Sequence, residues 1–215
     1  MSKLRVNITM SLDGYVAGPN QSVENPLGEG AFHLHDWALP TKTFRTLHGE
    51  TNGGETGIND DVLREAFENL GATIMGRHMF GPDRGPWGKN PWRGWWGDNP
   101  PFHHPVFVLT HHPRESLAMR GGTTFHFVTD GIESALAQAR GAAAGKNVAL
   151  GGGAKAIQQY LAAGLVDEVE IHVVPLLLGS GERLFANLDA HKLKLEPIRT
   201  IAGPGVTHLK YRVVK

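Results

Sequence analysis

Cysteine is absent from the 215 residues. That excludes disulfides, thiolate metal sites and a cysteine nucleophile. A chain of this length can bury about 70% of its unfolded surface, so it folds without such staples. No apolar run approaches the ~20 residues that cross a bilayer. Residues 1–9 run directly into a strand pattern and carry no apolar signal-peptide segment. A cytoplasmic protein with no membrane partner is the expectation. Charge of one sign is lacking as well, with 21 Lys and Arg against 21 Asp and Glu. A dedicated nucleic-acid binder needs a strongly basic face, so nucleic acid is not an expected partner. What the chain has in number is Gly 28, Pro 13, His 12 and Trp 5. These counts mean many turns around a compact core, short of low complexity. With no internal repeat and no linker composition, one domain over residues 1–215 is expected.

Leu4, Val6 and Ile8 alternate with Arg5, Asn7 and Thr9, the period of a half-buried strand. Residues 21–58 are polar with Gly-rich ends, and predict a long loop with one helical turn at most. Val62, Leu63, Ala66, Phe67 and Leu70 fall at helical spacing, with Asn59 as the N-cap and Gly71 as the stop. Short apolar runs at 72–75, 106–109, 123–128 and 148–150 predict buried strands. Between them lie the Pro-, Gly- and Trp-rich stretch 81–105 and a helix capped by Asp130. A helix with Ile157, Tyr160 and Leu161 inward runs to Gly164. A strand at 169–173 and an alternating hairpin near 192–199 and 206–214 close the chain. Strands alternating with helices predict an α/β fold with a mostly parallel sheet. The hairpin adds an antiparallel edge.

Ligands in open α/β sheets sit beyond the carboxyl ends of the strands. Four such ends carry polar or glycine residues: Ser11–Gly14, Gly76-Arg77-His78, Thr110-His111-His112 with Arg114, and Gly151-Gly152-Gly153. A strand followed by three glycines and a helix presents bare N–H groups and a helix dipole, a phosphate-binding geometry. A plain strand-to-helix turn gives the same letters. A Rossmann unit is rejected, because Asp167 and Glu168 precede the next strand instead of ending it. Arg77, His111, His112 and Arg114 supply cations at neighbouring ends, and an Arg fork suits phosphate oxygens. Together these ends suit an elongated, multi-phosphate ligand such as a dinucleotide. Trp87, Trp92, Trp95 and Trp96 read either as self-packing aromatics or as a wall for a flat heterocycle. His33/His35, His103/His104 and His111/His112 lack a third ligand at metal spacing and there is no H-E-x-x-H, so no metal is expected. Asp60 and Asp61 suit a helix N-terminus, or else anchor or protonate a substrate.

Ser11–Gly18, Ile74–Arg77, Pro105–Thr110, the glycine triplet with Ala154, and Leu165–Glu168 running to Pro175–Gly179 have an order and spacing that cover nearly the whole chain. This set resembles the dihydrofolate reductase-like superfamily. Within it, the set is most similar to the riboflavin-biosynthesis reductase family, the C-terminal domain of the bifunctional deaminase-reductase. The resemblance implies a three-layer fold: a mostly parallel eight-stranded sheet with helices on both faces. It implies NADPH as hydride donor and a homodimer, standing alone without the deaminase part. Residue by residue, Gly76 and Arg77 match the cofactor-phosphate turn. Thr110 and His111 match the strand end at the adenosine side. Gly151, Gly152, Gly153 and Ala154 match the pyrophosphate loop, and Val16, Ala17 and Gly18 the flexible stretch beside the nicotinamide. Asp60 lies where folate reductases carry their substrate-anchoring acid, with Asp61 adjacent. Asp13 is the second candidate catalytic acid. The implied activity is hydride transfer to a C=N or C=O group of a small heterocycle or ribosylaminopyrimidine, of the 5-amino-6-(5-phosphoribosylamino)uracil reductase type. A pterin or dihydrofolate reductase, and a nucleotide-binding module of this fold without turnover, stand as alternatives. The long segments 21–58 and 82–104 are unlike folate reductases and lie where substrate is chosen.

Overall fold

The computed structural model describes residues 2–189 and 191–215. The chain begins with β1 (Leu4–Ser11), β2 (Tyr15–Ala17), a 3-10 turn (Ala31–His35), α1 (Lys42–Leu47) and α2 (Ile58–Phe67). Then come β3 (Leu70–Gly76), α3 (Arg77–Phe80), β4 (Pro105–Leu109), β5 (Leu117–Ala118), β6 (Thr124–Val128) and α4 (Ile132–Ala142). It ends with β7 (Asn147–Gly152), α5 (Ala154–Ala162), β8 (Glu168–Val174), β9 (Glu182–Arg183), β10 (Lys194–Gly203) and β11 (Val206–Val214). The described residues form one nine-stranded sheet in the order β10-β11-β8-β1-β7-β3-β4-β6-β5, and β2 pairs with β9 apart from it. From β8 to β6 the pairs are parallel. β10, β11 and β5 are antiparallel additions at the edges. The ninth strand is β5, a two-residue pairing too short to leave a pattern in the sequence. No described helix is long and apolar enough to cross a membrane.

Both faces of the sheet are covered. Leu136 and Ala139 of α4 and Ile157 and Tyr160 of α5 pack on Leu4, Val6, Ile74, Leu150 and Ile171. Each of the buried Leu, Ile and Val side chains contributes roughly 1.5–3 kcal/mol of apolar burial. Tyr160 is fully buried and its hydroxyl donates to Ile132 O at 2.8 Å. On the opposite face, Leu34, Trp37 and Leu63 cover Val174 and Val206. Farther along that face Phe80, Trp87, Trp92 and Trp96 cover Met75, Val106, Val108 and Phe125.

Several local expectations change. Segment 21–58 holds a 3-10 turn and a short helix rather than a single turn. The N-cap of α2 is Gly57, not Asn59. Asn59 instead reaches the terminal hairpin, its Nδ2 donating to Pro204 O at 3.1 Å. α2 stops before Asn69, which turns the chain at φ 56°. Gly71 is therefore no helix stop but part of β3, where a Cβ would lie 2.5 Å from Ala143 O. α4 begins after Gly131, and Asp130 accepts from Ser134 Oγ at 3.0 Å.

α2 sits on the β8–β11 half of the sheet through polar contacts. Asn7 and Thr9 of β1, Glu170 and His172 of β8, and His208 and Lys210 of β11 share this face. His172 and His208 are 1% exposed, and their Nδ1 atoms lie 2.7 Å apart. Asn59 Oδ1 is 3.2 Å from His208 Nε2, and Asn59 Nδ2 is committed to Pro204 O. His208 thus donates through Nε2, and its Nδ1 accepts from His172 Nδ1–H. His172 Nε2 then needs a donor from Asn7, 2.9 Å away. Turning the Asn7 amide so that Nδ2 faces this ring completes the chain with both imidazoles neutral, and Nδ2 otherwise has no partner. Trp37 lies 4.6 Å and 5.0 Å from the two rings, centroid to centroid. At the other end of α2, Glu65 accepts from Arg199 at 2.5 Å and Lys210 at 2.7 Å. These bonds overcome the cost of desolvation and hold Glu65 at about 2.

Burial, with the like charge of neighbouring rings and Arg199, pushes His172 down to about 3; burial and Arg199 push His208 down to about 4. The unfolded chain, with imidazoles near 6.5, takes up these protons first as pH falls. Stability present above about pH 6.5 is lost between there and pH 4, on the order of 1 kcal/mol per pH unit for each histidine that stays neutral. Urea unfolding measured across this window is expected to show the decline. A flat profile down to about pH 5 would contradict the neutral pair.

Candidate functional site

Parallel register brings most of the sequence-derived site residues to one edge. Met75 pairs with Gly152 and Gly76 with Leu109, so β7, β3 and β4 end in line. Gly151–Gly153 and Ala154, Gly76 and Arg77, and Thr110 and His111 leave the sheet from three adjacent strands. Two of the three glycines extend β7 itself, and Gly153 is the N-cap of α5. The Gly152–Gly153 peptide is cis. A Cβ on Gly76 would lie 3.6 Å from Gly153 N and 3.4 Å from Ala156 Cβ, so the two turns touch through bare backbone. α5 carries no side-chain cap, which leaves its first N–H groups for another acceptor. Thr110 is buried and braces its own turn, its Oγ1 accepting from His112 N at 3.2 Å. His111 is exposed.

Arg77 is the least satisfied group at this edge. It is 9% exposed, yet Nε and Nη1 have no hydrogen-bond partner. No described carboxylate lies within 4 Å of it: it has no ion pair. Burial lowers its pKa, opposed by the field of Asp83 and reinforced by that of Arg114. A buried cation with orphaned donors demands an anion or a costly compromise. Orphaned donors beside a glycine-bared backbone and an uncapped helix fit a phosphorylated ligand.

Val16, Ala17 and Gly18 lie beyond β1. They are not a free flexible stretch: β2 pairs with β9, and Gly18 N donates to Leu27 O at 2.8 Å. Gly18 allows that packing, since its Cβ would lie 2.2 Å from Glu29 O. Asp13 ties this segment to residues 178–179. Its Oδ1 accepts from Ser11 Oγ at 2.6 Å and Leu178 N at 3.1 Å, and its Oδ2 from Gly179 N at 2.7 Å. Led by the Ser11 bond, these hold the carboxyl at about 2. At neutral pH Asp13 is therefore an ionised loop tie with no proton to give.

The two acids of α2 separate by orientation. Asp61 is exposed and pairs with Arg64 at 2.8 Å. Asp60 is 5% exposed, and its Oδ1 accepts from Thr43 N at 2.6 Å. Asp60 belongs to the β8–β11 half of the sheet and makes no hydrogen bond to the glycine turns. β1 and β7 lie between the half of the sheet that carries Asp60 and the turns after β3 and β4.

Sequence reasoning missed Met79, whose Sδ lies 3.5 Å from where a Gly152 Cβ would stand. It also missed the coupling of Trp87 to Arg77, with the guanidinium carbon 3.5 Å from the indole centroid. Both lie on irregular or single-turn chain, where periodicity carries no signal. A cavity of about 400 Å3 opens beside the first turn of α5, lined by Tyr15, Lys155, Gln158 and Arg183. Another, of about 370 Å3, is lined by Gly71, His104 and Lys146 at the amino ends of the strands. It lies on the wrong edge for an α/β ligand and far along the strands from the orphaned guanidinium.

A family model described as the RibD C-terminal domain matches residues 2–207. Similar solved structures include a protein of Shewanella sp. PV-4 provisionally assigned to riboflavin biosynthesis, with 22% identity, full coverage of both chains and a TM-score of 0.63. A Thermotoga maritima diaminohydroxyphosphoribosylaminopyrimidine deaminase/5-amino-6-(5-phosphoribosylamino)uracil reductase matches at 13% identity and TM-score 0.57, over 99% of this chain and 57% of that one. Dihydrofolate reductase from Enterococcus faecalis, complexed with NADP(H), matches at 12% identity and TM-score 0.52, over 99% and 97%. No curated protein matches the chain in sequence.

Proposed function

The chain belongs to the RibD C-terminal domain family, and we propose that it is an NADPH-dependent reductase acting on a small heterocycle or ribosylaminopyrimidine. The observation that carries this reading is the buried, unpartnered Arg77 guanidinium against the Gly76–Gly153 contact. Backbone N–H groups of Gly153, Ala154 and Lys155 would hold the pyrophosphate, aided by the dipole of α5. Arg77 would meet the 2′-phosphate, with Thr110 and His111 beside the adenosine. NADPH, when bound, supplies the hydride for a C=N or C=O carbon.

What the chain supplies is position and charge. Orientation of two reactants can be worth roughly 7–11 kcal/mol of barrier. Asp60 is fixed by Thr43 N through Oδ1, which leaves Oδ2 to anchor a substrate N–H or hold its proton. Asp13, being ionised and fully engaged, ties the loops beyond β1. The segment around Leu34–Trp37 covers the half of the face on which Asp60 lies and would choose the substrate, while the Trp stretch covers the half over β3, β4 and β6 at the adenosine end. A 5-amino-6-(5-phosphoribosylamino)uracil-like compound is the substrate class favoured by the Thermotoga relative's activity.

Titration with NADPH is expected to raise the thermal midpoint and change the intrinsic fluorescence, followed by loss of NADPH absorbance with a ribosylaminopyrimidine or pterin oxidant. Binding without oxidation across such a panel would favour a nucleotide-binding module; no binding at millimolar cofactor would end the reading. Arg77→Ala is expected to weaken NADPH binding by about 1.5–3 kcal/mol, the range for a charged hydrogen bond, and NADH binding much less. Equal weakening of the two would move Arg77 to the pyrophosphate.

A further inference from the structure

The space above Arg77 is filled by the protein itself. Trp87 lies face-on to its guanidinium, with 3.5 Å from the guanidinium carbon to the ring centroid. Arg114, from the turn after β4, brings a second guanidinium to 4.6 Å from the same ring. Arg114 is held by Nη1 donating to Trp92 O at 2.6 Å and by Phe127 at 4.8 Å. Two guanidiniums beside one indole, with no carboxylate paired to either, is a seat built for negative charge. An indole face attracts a cation through its quadrupole, but it offers no acceptor to Arg77 Nε and Nη1, which stay orphaned beneath it.

Besides the two guanidiniums, one hydrogen bond and two aromatic rings hold Trp87. Its Nε1 donates to His112 O at 3.0 Å, and its edge meets Phe127 at 5.0 Å and Phe80 at 6.0 Å. It sits between Gly85 and Gly88, where a Cβ would find nothing within 4 Å. This stretch carries neither helix nor strand. A ring of purine size, with one hydrogen bond and open chain on both sides, covers two cations that lack an anion.

We propose that Trp87 is a displaceable lid on a two-arginine phosphate seat formed by Arg77 and Arg114. In the closed conformation the indole stands where the adenine end of the nucleotide belongs. When the nucleotide binds, the indole leaves the guanidinium face to the adenine, and the orphaned in-plane N–H groups of Arg77 take the phosphate oxygens. This inference rests on the NADPH reading above, and extends it by making cofactor affinity depend on a lid equilibrium. The binding-competent fraction sets the apparent affinity, so a lid that is mostly closed weakens binding and its removal restores it.

The test uses adenosine 2′,5′-bisphosphate, which carries the 2′-phosphate and adenine but cannot turn over. Its binding to the full chain is measured by calorimetry for wild type, Trp87→Ala and Trp87→Phe, with NADPH titrated in parallel. The expected result is binding about tenfold tighter in Trp87→Ala, as for a competent state populated near a tenth, with Trp87→Phe between. A tryptophan fluorescence change on ligand addition is expected in wild type and absent in Trp87→Phe, which keeps the aromatic packing. Unchanged or weaker binding in both variants would make Trp87 a fixed part of the seat and overturn the lid. If wild type binds NADPH while the variants gain nothing, the lid alone fails. If no protein binds either nucleotide, the cofactor reading fails with it.

Discussion

The parallel pairing of β7 with β3 is the constraint on which the rest of the molecule depends. Gly152 stands opposite Met75, so the chain leaves both strands at the same height. The two exits, Gly76-Arg77 and Gly153-Ala154, then run side by side with backbone almost touching. A Cβ at Gly76 would make ordinary contact with Ala156 Cβ at 3.4 Å and Gly153 N at 3.6 Å. The shared height of the two exits is what brings main-chain N–H groups and a guanidinium to one end of the sheet. Pairing in the next register would scatter them: a one-residue slip would turn Ile74 and Leu150 out of the core to the other face.

The sheet is divided by the kind of interaction on its upper face. Over β3, β4 and β6 the cover is aromatic, with Phe80, Trp87 and Trp96 on Met75, Val106 and Phe125. Over β1, β8 and β11 it is polar, with His172, His208, Glu170 and Lys210 buried and answered by Asn59 and Glu65 of α2. Apolar packing tolerates sliding by fractions of a residue. A hydrogen-bonded and ionic docking does not, since a shift leaves buried groups unpaired. α2 is thus fixed in register at both ends, and with it the inward carboxylate of Asp60. Arg77 with the glycine turns and the buried Asp60 thus stand on opposite sides of β1 in the sheet order.

The layered α/β fold, the parallel core and the terminal hairpin were legible because alternation and short apolar runs report burial directly. Leu4 and Val6, or Ile74 and Leu150, carry that signal in their own spacing. The glycine triplet and Gly76-Arg77 were legible as neighbouring strand ends because each follows a short apolar run. What the sequence could not carry was interaction at a distance. Asn59 looks like an N-cap by its neighbours, yet its amide is drawn off by Pro204 and His208 from the far end of the chain. Gly71 looks like a helix stop, yet a close approach to Ala143 demands it. His172 and His208, which were not among the histidine pairs weighed as metal ligands, form a neutral buried pair that only the β8–β11 register brings together. Trp87 sits among Gly and Pro with no period to read, and its partner Arg77 is legible only in three dimensions.

The most direct measurement is a crystal structure of the protein grown with NADP+. The expected result is pyrophosphate density against the amides of Gly153 and Ala154 and the 2′-phosphate on Arg77, with the nicotinamide turned toward β1 and Asp60. Density lodged instead in the cavity lined by His104 and Lys146 at the amino edge, or no bound nucleotide at saturating concentration, would contradict it.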